Sequence, residues 1–150
     1  MHFPQAGFLA LLDQPAEQAP AGVMARLSPS LRELLLARTE AAQWTGAASL
    51  LGELLRAREA TLQAAFDTAL AADELRRYQK FAKPGRPSAH IIQLRQKQAG
   101  ARQASNLSRQ SLIKAAAAFV RDAGIDVPER TTLDVFIVGW IDANVPGDAA

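Results

Sequence analysis

Apolar positions recur at helical spacing along most of the chain, and strict alternation is almost absent, so the pattern predicts a mainly α protein. The first 27 residues carry Pro4, Pro15 and Pro20 and suit a short helix near 6–13 followed by a loop. Ser28-Pro29-Ser30-Leu31-Arg32-Glu33 has the composition of a helix start, with Pro in the first turn and Ser30 and Glu33 at capping-box spacing. That helix runs to about Trp44, with Leu31, Leu34, Leu35 and Ala42 on one face. Thr45-Gly46 breaks it, and a long helix over 47–82 follows. Leu51, Leu54, Leu55, Leu62, Ala65, Phe66 and Ala69 share one stripe of that helix. Beyond Leu70 the stripe continues as Asp73, Arg76 and Lys80, while Leu75, Tyr78 and Phe81 fall opposite. Either the helix kinks near 71–73 or its last turns meet a different partner. Helices 28–44 and 47–82 are expected to form an N-terminal helical hairpin.

Lys83-Pro84-Gly85-Arg86-Pro87-Ser88 cannot continue a helix and reads as a linker between residues 1–82 and 89–150. Residues 89–95, with Ile91-Ile92 at their centre, suit one short strand, with helix as the alternative. Residues 96–105 are polar and contain Gly100. A helix over 108–123 follows, ended by Gly124, with Leu112, Ile113, Ala116, Phe119 and Val120 on its apolar face. Thr131 and Thr132 precede a last element at 133–143, which is apolar nearly all round, so helix and strand both remain open. The fold expectation is therefore a helical hairpin of self-association type followed by a small basic C-terminal region with two helices.

Composition narrows the class. At 150 residues and 49% apolar the chain can build a core, and without cysteine it has neither disulfides nor thiolate metal sites. The N-terminus lacks the basic residues of a signal peptide, and the longest late apolar run, 135–141, is far too short to span a bilayer. A cytoplasmic protein without membrane contact is expected, and the excess of Arg over Lys together with abundant Ala matches GC-rich bacterial genomes. His2 and His90 have no ligand-type neighbours, no nucleophile motif has a base beside it, no paired carboxylates sit in a polar cleft-like setting, and there is no Gly-rich phosphate loop. The chain reads as a non-enzyme with no cofactor and no metal.

Charge changes the picture most. The net charge of +2 hides a block from 76 to 121 with Arg76, Arg77, Lys80, Lys83, Arg86, Arg95, Lys97, Arg102, Arg109, Lys114 and Arg121 and not one Asp or Glu. Acidic residues dominate both flanks. Such a block is self-repelling unless the flanks, an acidic protein or nucleic-acid phosphates compensate it.

Three motifs fall inside the block. Gly85-Arg86-Pro87 resembles the core of the AT-hook, although Pro84 stands where that core has an arginine. Tyr78 and Phe81 interleave with cations, a pattern used for base stacking and also for packing on a neighbouring helix. Asn106-Leu107-Ser108-Arg109-Gln110-Ser111-Leu112-Ile113 resembles the second helix of ribbon-helix-helix DNA-binding proteins. That resemblance, over 88–123, implies a DNA-reading strand at 89–95 with Ile91, Gln93 and Arg95 facing bases. It also implies a phosphate clamp at a helix N-terminus formed by Ser108 and Arg109. The reading that follows is a DNA-binding accessory or regulatory protein, and a homodimer. Its contacts would be Arg76, Arg77, Lys80, Lys83, Arg86, Gln93, Arg95, Lys97, Arg102, Ser108, Arg109 and Lys114. A helical adaptor for an acidic protein partner is the second reading.

Overall fold

A computed structural model describes residues 2–12, 27–35, 46–80 and 88–147, and among these every regular element is a helix. In chain order they are α1 (Ala6–Leu12), α2 (Pro29–Leu35), α3 (Gly46–Lys80), α4 (Ala89–Ala123) and α5 (Leu133–Asn144). The two 35-residue helices dominate the architecture. Each is about 52 Å long at 1.5 Å per residue. Thr68 meets Ala101, Glu74 meets Lys97 and Tyr78 meets His90, so numbers fall on one helix as they rise on the other. α3 and α4 are therefore an antiparallel hairpin along their whole length.

Local chemistry explains where the helices begin and stop. Ser88 is the N-cap of α4, its hydroxyl oxygen accepting from the Ile91 N–H at 3.2 Å. Gly124 ends that helix in the left-handed region at φ 68°, and the Ile125 N–H returns to the Val120 carbonyl at 3.0 Å. At α2 the cap is Ser28, whose Oγ accepts from the Leu31 N–H at 3.3 Å, with Pro29 in the first helical position. The cap thus lies two residues ahead of the Ser30 expected from the sequence.

Packing divides the hairpin into two halves. Around its proximal half, α1 and α2 lie on α3 and α5 lies on α4. This end holds the main core, in which Leu35, Leu51, Leu54, Leu55, Phe119, Ile137 and Ile141 are fully buried. Burial of each such side chain contributes about 1.5–3 kcal/mol. Trp140 meets Phe119 edge to face at 5.1 Å, and Gln5 donates to Asp142 at 3.4 Å, tying the N-terminal segment to α5. The core draws on residues either side of the 83–88 segment. The distal half is different. Beyond Ala64 on α3 and before Leu112 on α4 the buried residues are Ala71, Leu75, Ile91 and Leu94, and three of them form a small separate cluster. Among the described residues this half is a two-helix arm with only itself to pack against.

Several expectations are revised. Residues 89–95 are the first two turns of α4 and not a strand: one buried isoleucine, Ile91, meets Leu94 and Leu75, while Ile92 is exposed. The polar stretch 96–105 is helical as well, because its small and hydroxyl side chains form the seam with α3. α3 runs unbroken through 71–73, so the change of stripe marks a change of partner. The dominant hairpin is α3 with α4 and not helix 28–44 with 47–82; of the former, residues 36–44 lie outside the described residues, as does the loop expected over 13–26. The last element, open between helix and strand, is the helix α5 with Ile137 and Ile141 on its buried face.

Candidate nucleic-acid interface

The seam of the hairpin fixes which side chains its flanks carry. On α4 the buried and half-buried positions 91, 94, 98, 101, 105, 108 and 112 are alternately three and four apart, and on α3 positions 61, 64, 68, 71 and 75 repeat the same spacing. The middle of this seam is Ala, Ser and Thr. Its hydroxyls are satisfied at once by their own helices: Thr61 donates to the Arg58 carbonyl at 2.7 Å, Thr68 to Ala64 at 2.7 Å and Ser108 to Ser105 at 2.8 Å. Thr68 also comes within 3.3 Å of the Ala101 carbonyl on the partner helix, a contact that requires close helix approach.

Heptad spacing places Arg95, Arg102 and Arg109 in a row along one flank of this seam. Arg76 lies on the same flank of α3 as Arg58, eighteen residues or five helical turns earlier, whereas Lys80 shares the outward-facing heptad position of Asp73. The acids of the arm point elsewhere. Asp73 faces outward and pairs with Arg77 at 3.0 Å, and Glu74, on the other flank, pairs with Lys97 at 3.0 Å. At the proximal end of the arginine row, Arg109 gives both Nε and Nη2 to Asp134 Oδ2, at 2.9 and 2.8 Å. The Asp134 side chain is only 15% exposed. Its carboxyl is held below the usual 3.8, first by a hydrogen bond from the Thr132 side chain and then by Arg109, against a desolvation that acts the other way.

The expected site residues therefore separate into groups. Arg76, Arg95 and Arg102 gather on one exposed flank with no carboxylate against them among the described residues, and Lys80 is exposed on the outer face of α3. Arg77, Lys97 and Arg109 are already neutralised within the chain. Gln93 is on the opposite flank and Lys114 points away from the seam, both exposed. Lys83 and Arg86 lie outside the described residues, as does Phe81. Ser108 is in mid-helix, with its hydroxyl turned to its own backbone, so the helix N-terminus expected there is instead at Ser88. Tyr78 and His90 meet at the arm's tip, ring centroids 4.3 Å apart and edge to face. Asp134 and Arg58 were not legible as site residues. Nothing in the local sequence at either position signals that α5 brings Asp134 to the hairpin flank.

No group of three or more His, Asp or Glu in metal-holding geometry occurs among the described residues, and none of their helices is long and apolar enough to cross a membrane. Comparison with protein-family models, with curated proteins and with solved structures finds no match.

Proposed function

We propose that the protein is a non-enzymatic nucleic-acid-binding protein that lays its two-helix arm along the phosphate backbone. The observation that carries this reading is the uncompensated flank of Arg76, Arg95 and Arg102 on a part of the molecule that projects beyond the core. Cations held together without counter-charge attract a polyanion, and guanidinium groups bind phosphate through two parallel hydrogen bonds. A single α-helix with its side chains is about 10–12 Å across and fits the roughly 12 Å major groove. Two helices packed about 8–10 Å apart do not. The arm therefore suits contact with phosphates across a groove, and binding with little preference for sequence.

The test is titration of the protein with random-sequence duplex across a salt series. With about three phosphate contacts, the log–log slope of affinity against salt should be near −2.7. Arg102→Gln should weaken binding several-fold and Arg109→Gln much less, because Asp134 already occupies Arg109. Absence of binding by micromolar protein at ~50 mM salt, or equal losses for the two variants, would remove the reading. A second reading, an adaptor for an acidic protein helix, has one specific support: α5 already presents a carboxylate to this arginine row. Binding to an acidic helical peptide in preference to duplex would establish it instead.

A further inference from the structure

Where α5 crosses the hairpin, it leaves a cleft of about 350 Å³ against α3 and α4. Leu112, Val135 and Val138 give it an apolar lining, Thr61 and Ser105 line it as well, and Arg58, Arg109 and Asp134 bring charge. The volume lies at the lower end of the range of small-molecule sites. The charges do not balance. Asp134 is committed to Arg109 through two short hydrogen bonds. Arg58 is half-buried, and its Nη1 donates to the Thr61 hydroxyl only at a long 3.4 Å. No carboxylate among the described residues stands against it. At the cleft's rim Val135 is 64% exposed, an apolar side chain on α5 with most of its surface in water. A half-buried guanidinium without a counter-ion beside an uncovered apolar wall is two unmet requirements in one place. One molecule meets both.

We infer that this cleft binds a small amphipathic organic monoanion, an aliphatic or aromatic carboxylate. The anionic group would pair with Arg58, and the apolar body would cover Val135 and Val138. A dianion is disfavoured, because Asp134 stands on the same rim. A neutral apolar molecule is disfavoured as well, since it would bury Arg58 further without a partner. The site lies at the proximal end of the arginine row, and the inference holds whether or not the arm binds nucleic acid.

The experiment uses the fluorescent sulfonate 1-anilinonaphthalene-8-sulfonate as reporter on the full chain, with sodium octanoate and 1-octanol as competitors. Wild-type protein should raise the dye's fluorescence saturably at one site, octanoate should reverse it, and octanol should not. Arg58→Gln should weaken both dye and octanoate at least tenfold, Arg58→Lys should recover most of the loss, and Lys114→Gln, on the far side of α4, should bind as wild type. A circular dichroism melt on each variant shows whether the fold is retained. If Arg58→Gln fails to fold, Arg58→Lys and Val138→Ser carry the test, the latter expected to weaken octanoate while leaving the charge in place. Equal competition by octanol, dye binding unchanged in a folded Arg58→Gln, or an equal loss in Lys114→Gln would overturn the inference.

Discussion

Gly100 and Gly124 sit on the same helix with opposite consequences. Gly124 terminates α4 at φ 68°, a conformation that places a Cβ close to the following carbonyl and costs other residues about 1–2 kcal/mol. Gly100 is inside the helix, and a Cβ built on it meets nothing within 4 Å. It stabilises neither a turn nor a close approach, and a helical glycine costs about 0.8–1 kcal/mol relative to alanine. Gly100→Ala should therefore raise the urea midpoint, and Gly124→Ala should lower it. Gly100→Ala lowering stability would mean that the arm needs the flexibility this position gives. Residue-scale signals of this kind were legible: Gly124 as a terminator, Pro29 in a first turn, and Leu112, Ala116 and Phe119 as a buried face. Ile91-Ile92 misled, because β-branched residues lower helix propensity by only a few tenths of a kcal/mol each, and a cap at Ser88 with one buried isoleucine outweighs that.

At the scale of elements, the pairing of α3 with α4 was the least legible feature, and the reason lies in the seam. Leucine stripes announce a partner, but Thr61, Ala64, Thr68 and Ala71 facing Ala101, Ser105 and Ser108 read as a polar, featureless surface. Such small side chains let two helices approach closely while adding little to the hydrophobic pattern. The same composition leaves the arm weakly held. Its buried apolar residues are Ala71, Leu75, Ile91 and Leu94, whereas Leu112, Ala116 and Phe119 on the continuation of α4 join the main core. Local opening follows the number of buried contacts, so one continuous helix should show two stabilities. Hydrogen exchange read by mass spectrometry should find the amides of 92–103 exchanging well before those of 112–120. Leu94→Ala should accelerate the first set with little effect on the second. Uniform protection along α4 would show that the arm and the core open as one unit.

For the whole molecule, the block without acids in the sequence is not without acids in space. Asp73 and Glu74 from one side and Asp134 from the other return to it and neutralise Arg77, Lys97 and Arg109. What remains uncompensated is concentrated on one flank of the arm. The leucine stripe of α3 is covered within the chain, with Leu51, Leu54 and Leu55 fully buried, although Phe66 stays 42% exposed. α5 is central to this closure, since it fills the proximal groove and carries Asp134. The sign of its pH dependence follows directly. The Asp134 carboxyl lies below 3.8 in the folded protein, through Thr132 first and Arg109 second, so its contribution is complete above about pH 4. As pH falls through the folded value the carboxylate is protonated, the ion pair with Arg109 is lost, and the docking of α5 on α4 rests chiefly on Ile137, Ile141 and the Trp140–Phe119 contact. Trp140 reports this step. In a Trp44→Phe background its emission should shift to the red as the pH is lowered below 4, before far-ultraviolet circular dichroism records loss of the hairpin. Asp134→Asn cannot titrate, so it should begin closer to the acid-form spectrum and show a smaller change over the same interval. An identical acid transition in Asp134→Asn would assign the step to other carboxylates and leave the docking of α5 to its apolar face.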